Sequence, residues 1–478
     1  MRRPLVMMIG LGATCLSGQA IFASRVEAQT QPHTLQEAFA AAYSTNPTLL
    51  AARAALRAVD EGVPQALSGW RPQVVFSTST GYADGNVRTF QAGSMGTPGQ
   101  GVITRANQDS FAATATVSQP IYQGGKTVAT THSAENKVFS ERGRLIATEQ
   151  LVFTNVVTDF VNVIQDQQLL ALDVNNELVL TRQLQATNDR FRVGEITRTD
   201  VAQAEAALAG ARATRQTAEG TLQTADAAYQ RDVGFLPEHL VEPQPLALPI
   251  KSSAQAEQLA AANNPQVIFT MFDQAASKDA VDLAYSGLMP TVTAQASTFH
   301  ENNPSFGIRQ RIIGAQASVN ASAPIYQGGA EYAAIRQAKQ TEDQARKTVD
   351  DTRRQVIQAA LSSWETFIAA RSTVDSTRSA IRANEIALEG TQREAIVGSR
   401  TTLDVLNAEQ ALLQSRSTLV QNLASVVLSS YQVASAIGRL TARDLHLNVP
   451  LYDDQAYYKA VRDRLFGTGD YALSQPGR

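Results

Sequence analysis

The chain has 478 residues and a formal net charge of −3, and its 41 basic residues form no concentrated patch. Because phosphate binding needs such a patch, the charge excludes nucleic acid as a partner. The 5 histidines stand apart without metal-ligand spacing, and only one cysteine is present. Neither a nucleophile elbow nor a phosphate-binding loop occurs, so we expect no enzyme activity, no catalytic residues, no cofactor and no metal site.

The N-terminus has the layout of a secretory signal. Two arginines precede an apolar run from Leu5 to Ala23, and Val26-Glu27-Ala28 has the form of a cleavage site, so we predict a signal peptide over residues 1–28. The alternative is an uncleaved anchor, because the run is nearly long enough to cross a bilayer. Cleavage would also remove Cys15, the only cysteine, which suits an exported protein without disulfides.

A repeated hexapeptide indicates an internal tandem duplication. Pro120–Gly125 and Pro324–Gly329 both read Pro-Ile-Tyr-Gln-Gly-Gly, at an offset of 204 residues. The segments Val193–Asp200 and Val397–Asp404 match at the same offset. Further upstream, matching Asn-Pro pairs begin at 46 and 264, where the offset is 218 residues. The extra residues fall in a polar, glycine-rich interval between residues 72 and 120, which predicts an exposed loop there.

The duplication predicts the domain organisation. The predicted parts are the signal peptide (1–28), a first structural repeat (29–233), a linker (234–250), a second structural repeat (251–438) and a C-terminal tail (439–478). The sequence assigns no role to the tail.

Proline placement predicts long helices. Prolines are absent between Pro120 and Pro237 and between Pro324 and Pro450. Because a helix interior excludes proline, each window predicts a helix that spans roughly 100 Å at ~1.5 Å per residue. A glycine at 194 or 398 then returns the chain in a second helix, as an antiparallel hairpin. The predicted helices cover about 126–192 and 199–232 in the first repeat and about 330–396 and 401–438 in the second.

Outside the helical windows, apolar residues alternate with small polar ones, which predicts strands. The predicted strands cover about 71–84, 109–120, 290–300 and 310–323. Their lengths suit tilted strands that cross an outer membrane, although one half of a soluble sandwich would have the same pattern. The long helices leave no compact core to cover an apolar sheet face. Four strands also cannot close a barrel, so several chains would have to share one.

The duplicated halves, the Pro-Ile-Tyr-Gln-Gly-Gly segments, the Val-Gly turns and the tail from Gly438 to Asp453 together resemble the TolC family of outer-membrane channel proteins. The resemblance covers essentially the whole mature chain. It implies an α+β membrane protein, a homotrimer in which four strands per chain form a 12-stranded β-barrel. A long α-helical coiled-coil barrel would continue this β-barrel into the periplasm.

The resemblance also implies a role. The protein would be a passive exit duct in the outer membrane of a Gram-negative bacterium, for drug efflux and/or type I protein secretion. Its partners would be a periplasmic adaptor (a membrane fusion protein) and an inner-membrane pump or ABC transporter. The alternative is a periplasmic coiled-coil adaptor that bridges the two membranes without forming a pore, but such a protein would not need two copies of a strand pair.

Two sets of repeated residues have a predicted structural or docking role. The strand-to-helix junctions contain Pro120, Gly124, Gly125, Pro324, Gly328 and Gly329. Proline suits a strand end because it lacks an amide donor, and the glycines permit the turn into a helix, so we interpret the junctions as structural. The hairpin tips contain Val193, Gly194, Val397 and Gly398. The resemblance implies that an adaptor packs against them, although a plain helical turn would need the same glycines.

The acidic residues after the tips have two possible roles. In a trimer, Asp200 and Asp404 would supply a ring of carboxylates at the tunnel mouth, where crowded like charges repel each other and attract cations. Alternatively, each aspartate satisfies free amides at a helix N-terminus. The residues alone favour this capping role. They do not decide which groups face each other across the mouth.

The resemblance instead favours a gate. It implies that Arg400, Asp404 and Asn407 line and lock the periplasmic aperture, with Thr199 and Asp200 facing them. Two positions depart from the family pattern, since Asn407 stands where an aspartate is frequent and Ala395 where a tyrosine is frequent. The ring would therefore carry less charge. Our hypothesis is that Arg400 bonds across to the helix start at Thr199-Asp200 and that its loss loosens the closed aperture.

Overall fold

The computed structural model describes residues 31–91 and 100–474, so the predicted signal peptide, Cys15 and the turn between the first two strands lie outside the described residues. The helices are α1 (Leu35–Thr45), α2 (Pro47–Asp60), α3 (Gly62–Leu67), α4 (Lys126–Arg192), α5 (Arg198–Val233), α6 (Ser253–Asn263), α7 (Pro265–Ser286), α8 (Ala330–Ile396), α9 (Thr402–Ala436) and α10 (Ala456–Val461). The strands are β1 (Gln73–Gln91), β2 (Gln100–Gln123), β3 (Thr291–Asn302) and β4 (Arg311–Ser322).

The helices α4 and α8 have 67 residues each, so each is about 100 Å long at ~1.5 Å per residue. The helices α5 and α9 return along them as antiparallel hairpins, and α4 also packs against α7 and α9. In the described part of the chain, no helix has both the length and the apolar character that a bilayer span requires.

The repeated Asn-Pro pairs start equivalent helices in the two repeats. Asn46 Oδ1 accepts a hydrogen bond from Thr48 N at 2.9 Å, and Asn264 Oδ1 accepts one from Gln266 N at 2.9 Å. The following proline occupies the first helical turn, where its missing amide donor costs nothing. The two asparagine side chains also donate to carbonyls at the ends of α5 and α9, both at 2.9 Å. Each short helix is thereby attached to the last turn of a return helix.

The four strands form one antiparallel sheet in the order β1-β2-β3-β4. Val74 pairs with Val117, Val117 with Ala296, and Ala296 with Ala317, so one row of apolar side chains crosses the whole sheet. The neighbouring row consists of Val75, Thr116, Ser297 and Gln316. Because successive residues point to opposite faces, one face of the sheet is more apolar and the other is more polar. Its outer edges, on β1 and β4, have no partner strand among the described residues.

The first strand pair is longer than the sequence predicted. The strands β1 and β2 have 19 and 24 residues, whereas the prediction ended the first near residue 84 and began the second near 109. Apolar alternation ends at Tyr82, but backbone pairing continues to Gln91 and Gln100. Asp84 and Arg105 form an ion pair across this extension at 2.8 Å. The predicted exposed loop is therefore largely a projecting strand hairpin, because pairing does not require an apolar face.

The largest hydrophobic core lies where the short helices and the tail pack on the part of α4 around Phe153 and Phe160. Phe39, Phe153, Phe160 and Tyr229 are fully buried there, with Tyr431 of α9 beside them. Farther down, a smaller cluster of Leu180, Leu208, Ala211 and Leu406 joins the two hairpins. The two hairpins are thus held by the large core at the ends far from the tips, and by the smaller cluster closer to the tips.

Candidate functional site

The two hairpin tips have the same backbone geometry. Gly194 and Gly398 adopt φ values of 80° and 79°, which an L-residue adopts only with strain. After each glycine, the chain closes the last helical turn with a bond from Glu195 N to Arg190 O, or from Ser399 N to Glu394 O, both at 3.0 Å. This is the Schellman pattern that ends helices. It accounts for the repeated glycine without any reference to a partner.

The residues before the glycines expose apolar surface. Val193 and Val397 are each 78% exposed, and Ile396 is 80% exposed. A plain helical turn needs the glycine but not an exposed valine on both tips. The matched valines therefore form a small apolar surface at the end of each hairpin.

Both candidate gate aspartates belong to capping boxes. Thr197 Oγ1 accepts from Asp200 N at 3.4 Å, and Asp200 Oδ2 accepts from Thr197 N at 3.0 Å. Thr401 and Asp404 repeat the arrangement at 3.3 Å and 2.9 Å. The capping role that the residues alone favoured is therefore present at both helix starts. It leaves the second carboxylate oxygen of each aspartate outside the box.

The caps keep both carboxylates charged. Hydrogen bonds from the Thr197 side chain and backbone lower the pKa of Asp200 below its ordinary value. Hydrogen bonds from the Thr401 backbone and side chain lower the pKa of Asp404 in the same way. A hydrogen bond to the charged form favours that form. The end of each hairpin thus carries a carboxylate that stays ionised in mildly acidic solution.

The described residues of a single chain show no bond from Arg400 to the helix start at Thr199-Asp200, and the hypothesis of that bond stays a prediction. Arg400 Nε instead donates to Glu394 Oε2 at 2.8 Å. This hydrogen bond raises the pKa of Arg400, and the nearby charge of Asp404 adds to the effect. Arg400 reaches Glu394 because the turn at Gly398 brings the end of α8 close to the residues that follow the turn. The first tip has a similar pair, Arg190 and Glu195, at 2.6 Å.

The remaining candidate gate residues are exposed, with Thr199 on the first turn of α5 and Asn407 on the second turn of α9. Arg400, Asp404 and Asn407 thus follow the second tip in sequence, and Thr199 and Asp200 follow the first. Within residues 31–91 and 100–474, no hydrogen bond or ion pair links the two groups. No group of three potential metal ligands occurs there either.

The strand-to-helix junctions turn on paired glycines. Gly124 and Gly125 have φ values of 62° and 86°, and Gly328 and Gly329 have 66° and 86°. A Cβ on Gly124 would lie 2.4 Å from Met289 Cβ, so this position also needs glycine for space. A Cβ on Gly328 would contact no described residue within 4 Å.

The two copies of the junction differ in one respect. The first copy, from Pro120 to Gln123, pairs with β3 across a bulge. The second copy follows the end of β4 and pairs with no strand in the part of the chain that the structure describes. Ile325 and Tyr326 are accordingly 96% and 78% exposed, against 54% and 45% for Ile121 and Tyr122. The same sequence is thus covered in one repeat and open in the other.

Sequence reasoning missed several residues of the tips. These are Thr197 and Thr401, which cap the return helices, and Arg190, Glu195 and Glu394, which form the ion pairs. The capping threonines could have been found, because Thr-x-x-Asp before a helix is the capping-box pattern. The ion pairs were hidden because the repeat exchanges the charge, with Arg190 in one copy and Glu394 in the other.

An open four-stranded sheet that continues into long helical hairpins is the architecture of a class of channel proteins. The sequences and structures of known proteins that this chain resembles agree with that class. The family model of outer membrane efflux proteins matches residues 39–233 and 257–439. The outer membrane efflux protein BepC of Brucella suis is 34% identical over 96% of this chain and 94% of its own length. The outer membrane protein TolC of Escherichia coli is 25% identical over 93% of this chain and 88% of its own.

A solved structure shares the fold. The CmeC outer membrane channel of Campylobacter jejuni superimposes with a TM-score of 0.73 over 92% of this chain and 90% of its own, at 16% identity. The chain belongs to the outer membrane efflux protein family. It is a channel protein of the Gram-negative outer membrane, as the resemblance to the TolC family predicted.

Proposed function

We propose that three copies of this chain form one continuous duct, with a 12-stranded β-barrel in the outer membrane and a helical barrel in the periplasm. The observation that carries the proposal is the sheet with two free edges. An unpaired edge in lipid would cost several kcal/mol for each unsatisfied backbone group. Pairing of β4 in one chain with β1 in the next removes both edges, and three copies is the number that the family resemblance implies.

The two junction copies support this closure. The first junction lies against β3, which begins the sheet of the second repeat. The second junction lies at the free edge of β4, with Ile325 and Tyr326 exposed. In a closed barrel, β1 of the next chain would cover the second junction as β3 covers the first.

The duplication also predicts the register between chains. Within the chain, Ser118 of β2 lies opposite Gln295 of β3. The offset of 204 residues relates Ser118 to Ser322, and the offset of 218 residues relates Gln295 to Ser77. Ser322 of one chain should therefore lie opposite Ser77 of the next. In this register Ala317 lies opposite Tyr82, which continues the apolar row around the barrel.

Cysteine cross-linking tests the register. We expect Ser77→Cys with Ser322→Cys, in a Cys15→Ser background, to form covalent dimers and trimers on oxidation, because directly opposed Cβ atoms are about 5 Å apart. The matched control is Ser77→Cys with Gln316→Cys, which shares the face but lies six residues away. Equal cross-linking of both pairs, or of neither, contradicts the proposed closure.

We further propose that the duct is passive and belongs to a tripartite export machine. The exposed valines of the tips, Val193 and Val397, support end-to-end docking of a periplasmic adaptor, with Gly194 and Gly398 shaping the turns. An inner-membrane pump or ABC transporter would supply the energy, for drug efflux and/or type I protein secretion. The test is conductance of the detergent-extracted protein in a planar bilayer, where absence of any channel steps would contradict a duct.

The aspartates of the two capping boxes support an acidic gate at the helical end. In a trimer, Asp200 and Asp404 would bring six carboxylates to the mouth. Arg400 and Asn407 would lie beside Asp404, and Thr199 beside Asp200. Because the capping bonds keep the carboxylates ionised, cations should bind there and reduce the conductance. Millimolar divalent cations on the helical side should therefore block the channel.

A further inference from the structure

The C-terminal tail, which the sequence left without a role, runs back to the base of the sheet. Tyr457 of α10 donates to Glu61 Oε1 at 2.9 Å, at the end of α2. Val461 is fully buried, and Arg462 forms an ion pair with Glu135 near the start of α4 at 3.3 Å. The tail then contacts the chain two residues before β1, since Arg71 Nη1 donates to Arg464 O at 2.8 Å.

Beyond this contact, the tail forms a closed loop around one side chain. Arg464 Nε donates to Phe466 O at 3.2 Å, and Arg464 Nη1 donates to Gly469 O at 2.7 Å. The guanidinium also lies over the ring of Tyr471, 4.9 Å from its centroid. Gly467 adopts a φ of 105°, which requires glycine. We name residues 464–471 the tail loop.

The tail loop exposes its apolar residues. Leu465 is 71% exposed and Phe466 is 88% exposed. Arg71, between the loop and β1, donates its hydrogen bond to the loop at Arg464 O. Trp70, next to Arg71, is 42% exposed. Burial of these two neighbouring side chains against an apolar partner would be favourable, because it would remove apolar surface from water.

The level of the loop identifies this partner. Val74, three residues after Arg71, is in the apolar row of the sheet, so it lies about 10 Å along the strand at ~3.3 Å per residue. Interfacial side chains of membrane proteins occupy the zone of about 5–10 Å beside the hydrocarbon core. Aromatic side chains are enriched at that depth. In the proposed barrel, Arg464 at the start of the tail loop would therefore lie near the level of the lipid headgroups on the helical side.

We propose that the tail loop is a membrane foot, which inserts Leu465 and Phe466 into the inner leaflet of the outer membrane. This inference rests on the proposed barrel, because the barrel sets the level of the bilayer. The occupant of the apolar surface is thus phospholipid. The tail connects this foot to the helical region through α10, so it would hold the barrel base against the membrane.

The test places an environment-sensitive fluorophore on the loop of the full chain. Phe466→Cys, in a Cys15→Ser background, is labelled and reconstituted into phospholipid vesicles that contain a lipid with a nitroxide near its headgroup. Val74→Cys is the lipid-facing reference. Leu236→Cys is the matched control, because Leu236 is an apolar residue of the linker that is 55% exposed. Iodide measures exposure to water at each site.

We expect the nitroxide lipid to quench the label at 466 at least twice as strongly as the label at 236. Strong quenching by iodide without lipid quenching would place the loop in water and overturn the proposal. Protection from both quenchers would mean that a neighbouring chain covers the loop, which also overturns it. Absence of lipid quenching at Val74→Cys would contradict the barrel placement itself, and the membrane foot with it.

Discussion

Arg400 Nε donates to Glu394 Oε2 at 2.8 Å, so the helix before the second tip holds the cation that lies beside Asp404. The first tip has the pair Arg190 and Glu195 at 2.6 Å. Glu394 occupies the place of Arg190 in the repeat, whereas Arg400 occupies the place of Ile196, so both tips form an ion pair but with the opposite charge on the helix before the turn. Arg400 therefore interacts with two carboxylates: it donates a hydrogen bond to Glu394 and lies near the charge of Asp404.

We expect Arg400→Ser to raise the single-channel conductance. The substitution removes the cation beside Asp404, so repulsion among the carboxylates at the mouth increases and the closed aperture loosens. Because the pair is exposed, the expected rise is modest, roughly twofold to fivefold. Conductance in planar bilayers, compared with the unchanged chain, measures it.

The matched variant is Glu394→Gln. It removes the other partner and leaves Arg400 free to bond with Asp404, so the conductance should stay equal or fall. An increase in Glu394→Gln of the same size as in Arg400→Ser would mean that the ion pair of the tip holds the aperture closed. No increase in Arg400→Ser would contradict a gating role for this residue.

The cation block should be insensitive to mild acid. The capping hydrogen bonds lower the pKa values of Asp200 and Asp404 below the ordinary 3.8. A carboxyl group with a lowered pKa keeps its charge as the pH falls and loses it only below that pKa. Block by millimolar divalent cations should thus be unchanged from pH 7.5 to pH 5 and weaken only below about pH 4.

The control for this prediction is Asp200→Asn with Asp404→Asn, which keeps a side-chain oxygen at each helix start but removes the charge. This variant should conduct without cation block at every pH. A block that disappears between pH 7 and pH 5 in the unchanged chain would point to a group other than these two aspartates.

The exposed valines of the tips should be needed for export but not for the channel. Val193→Asp with Val397→Asp puts charges on the two apolar tip surfaces, which would have to be desolvated against an adaptor. We expect most of the export of a fluorescent drug to be lost in cells that depend on this chain, with conductance in bilayers retained. Leu236→Asp, at an exposed apolar residue of the linker, is the control that should export normally.

Part of this fold could be predicted because it depends on backbone rules. The helix α4 occupies Lys126–Arg192 and α8 occupies Ala330–Ile396, the ranges that follow from the absence of proline and the position of the paired glycines. The ends of β1 and β2 could not be predicted, because apolar alternation stops at Tyr82 whereas backbone pairing does not. Apolar pattern reports which face is covered, and it gives no boundary in the extension, where apolar residues such as Val87 and Phe90 fall on both faces of the strand.

The partners of the tip residues show a second limit. Arg400 and Glu394 lie on opposite sides of the turn, and only the left-handed conformation of Gly398 brings them together. Sequence similarity to the other repeat did not reveal them, because the charges are exchanged. The capping boxes, by contrast, need only a fixed spacing of three residues, and that spacing is visible at Thr197-Asp200 and Thr401-Asp404.

Gly143 should be essential in the middle of α4, although a glycine there weakens a helix. A Cβ at this position would lie 2.9 Å from Phe269 Cβ and 3.2 Å from Phe269 N, so α7 crosses α4 at this point. We expect Gly143→Ala to destabilise the protein by about 1–3 kcal/mol, because the overlap with the backbone exceeds the gain in helix propensity. The temperature at which the oligomer dissociates in detergent measures this.

Gly220→Ala provides the matched control. Gly220 is also inside a long helix, but a Cβ there would lie more than 4 Å from the other residues that the structure describes. This variant should stabilise α5 by up to about 1 kcal/mol. If both variants shift the dissociation temperature in the same direction, Gly143 has no special packing role.

Asp60, the last residue of α2, should destabilise the protein at neutral pH. It is 1% exposed, and neither oxygen of its carboxylate has a hydrogen-bond partner among the described residues. Burial raises its pKa from 3.8 to about 7, with Asp454 and Glu61 adding to the effect and Arg142 opposing it. A carboxyl group with a raised pKa disfavours the folded state increasingly as the pH rises from its unfolded pKa to its folded pKa.

We therefore expect Asp60→Asn to stabilise the protein at pH 8, by about 1–3 kcal/mol, and to change its stability little at pH 4. The dissociation temperature of the oligomer at both pH values measures the effect. Asp350→Asn, at an exposed position of α8, is the control and should have no effect at either pH. A loss of stability in Asp60→Asn at pH 8 would mean that Arg142 holds the ionised carboxylate, and that this pair attaches α2 to α4.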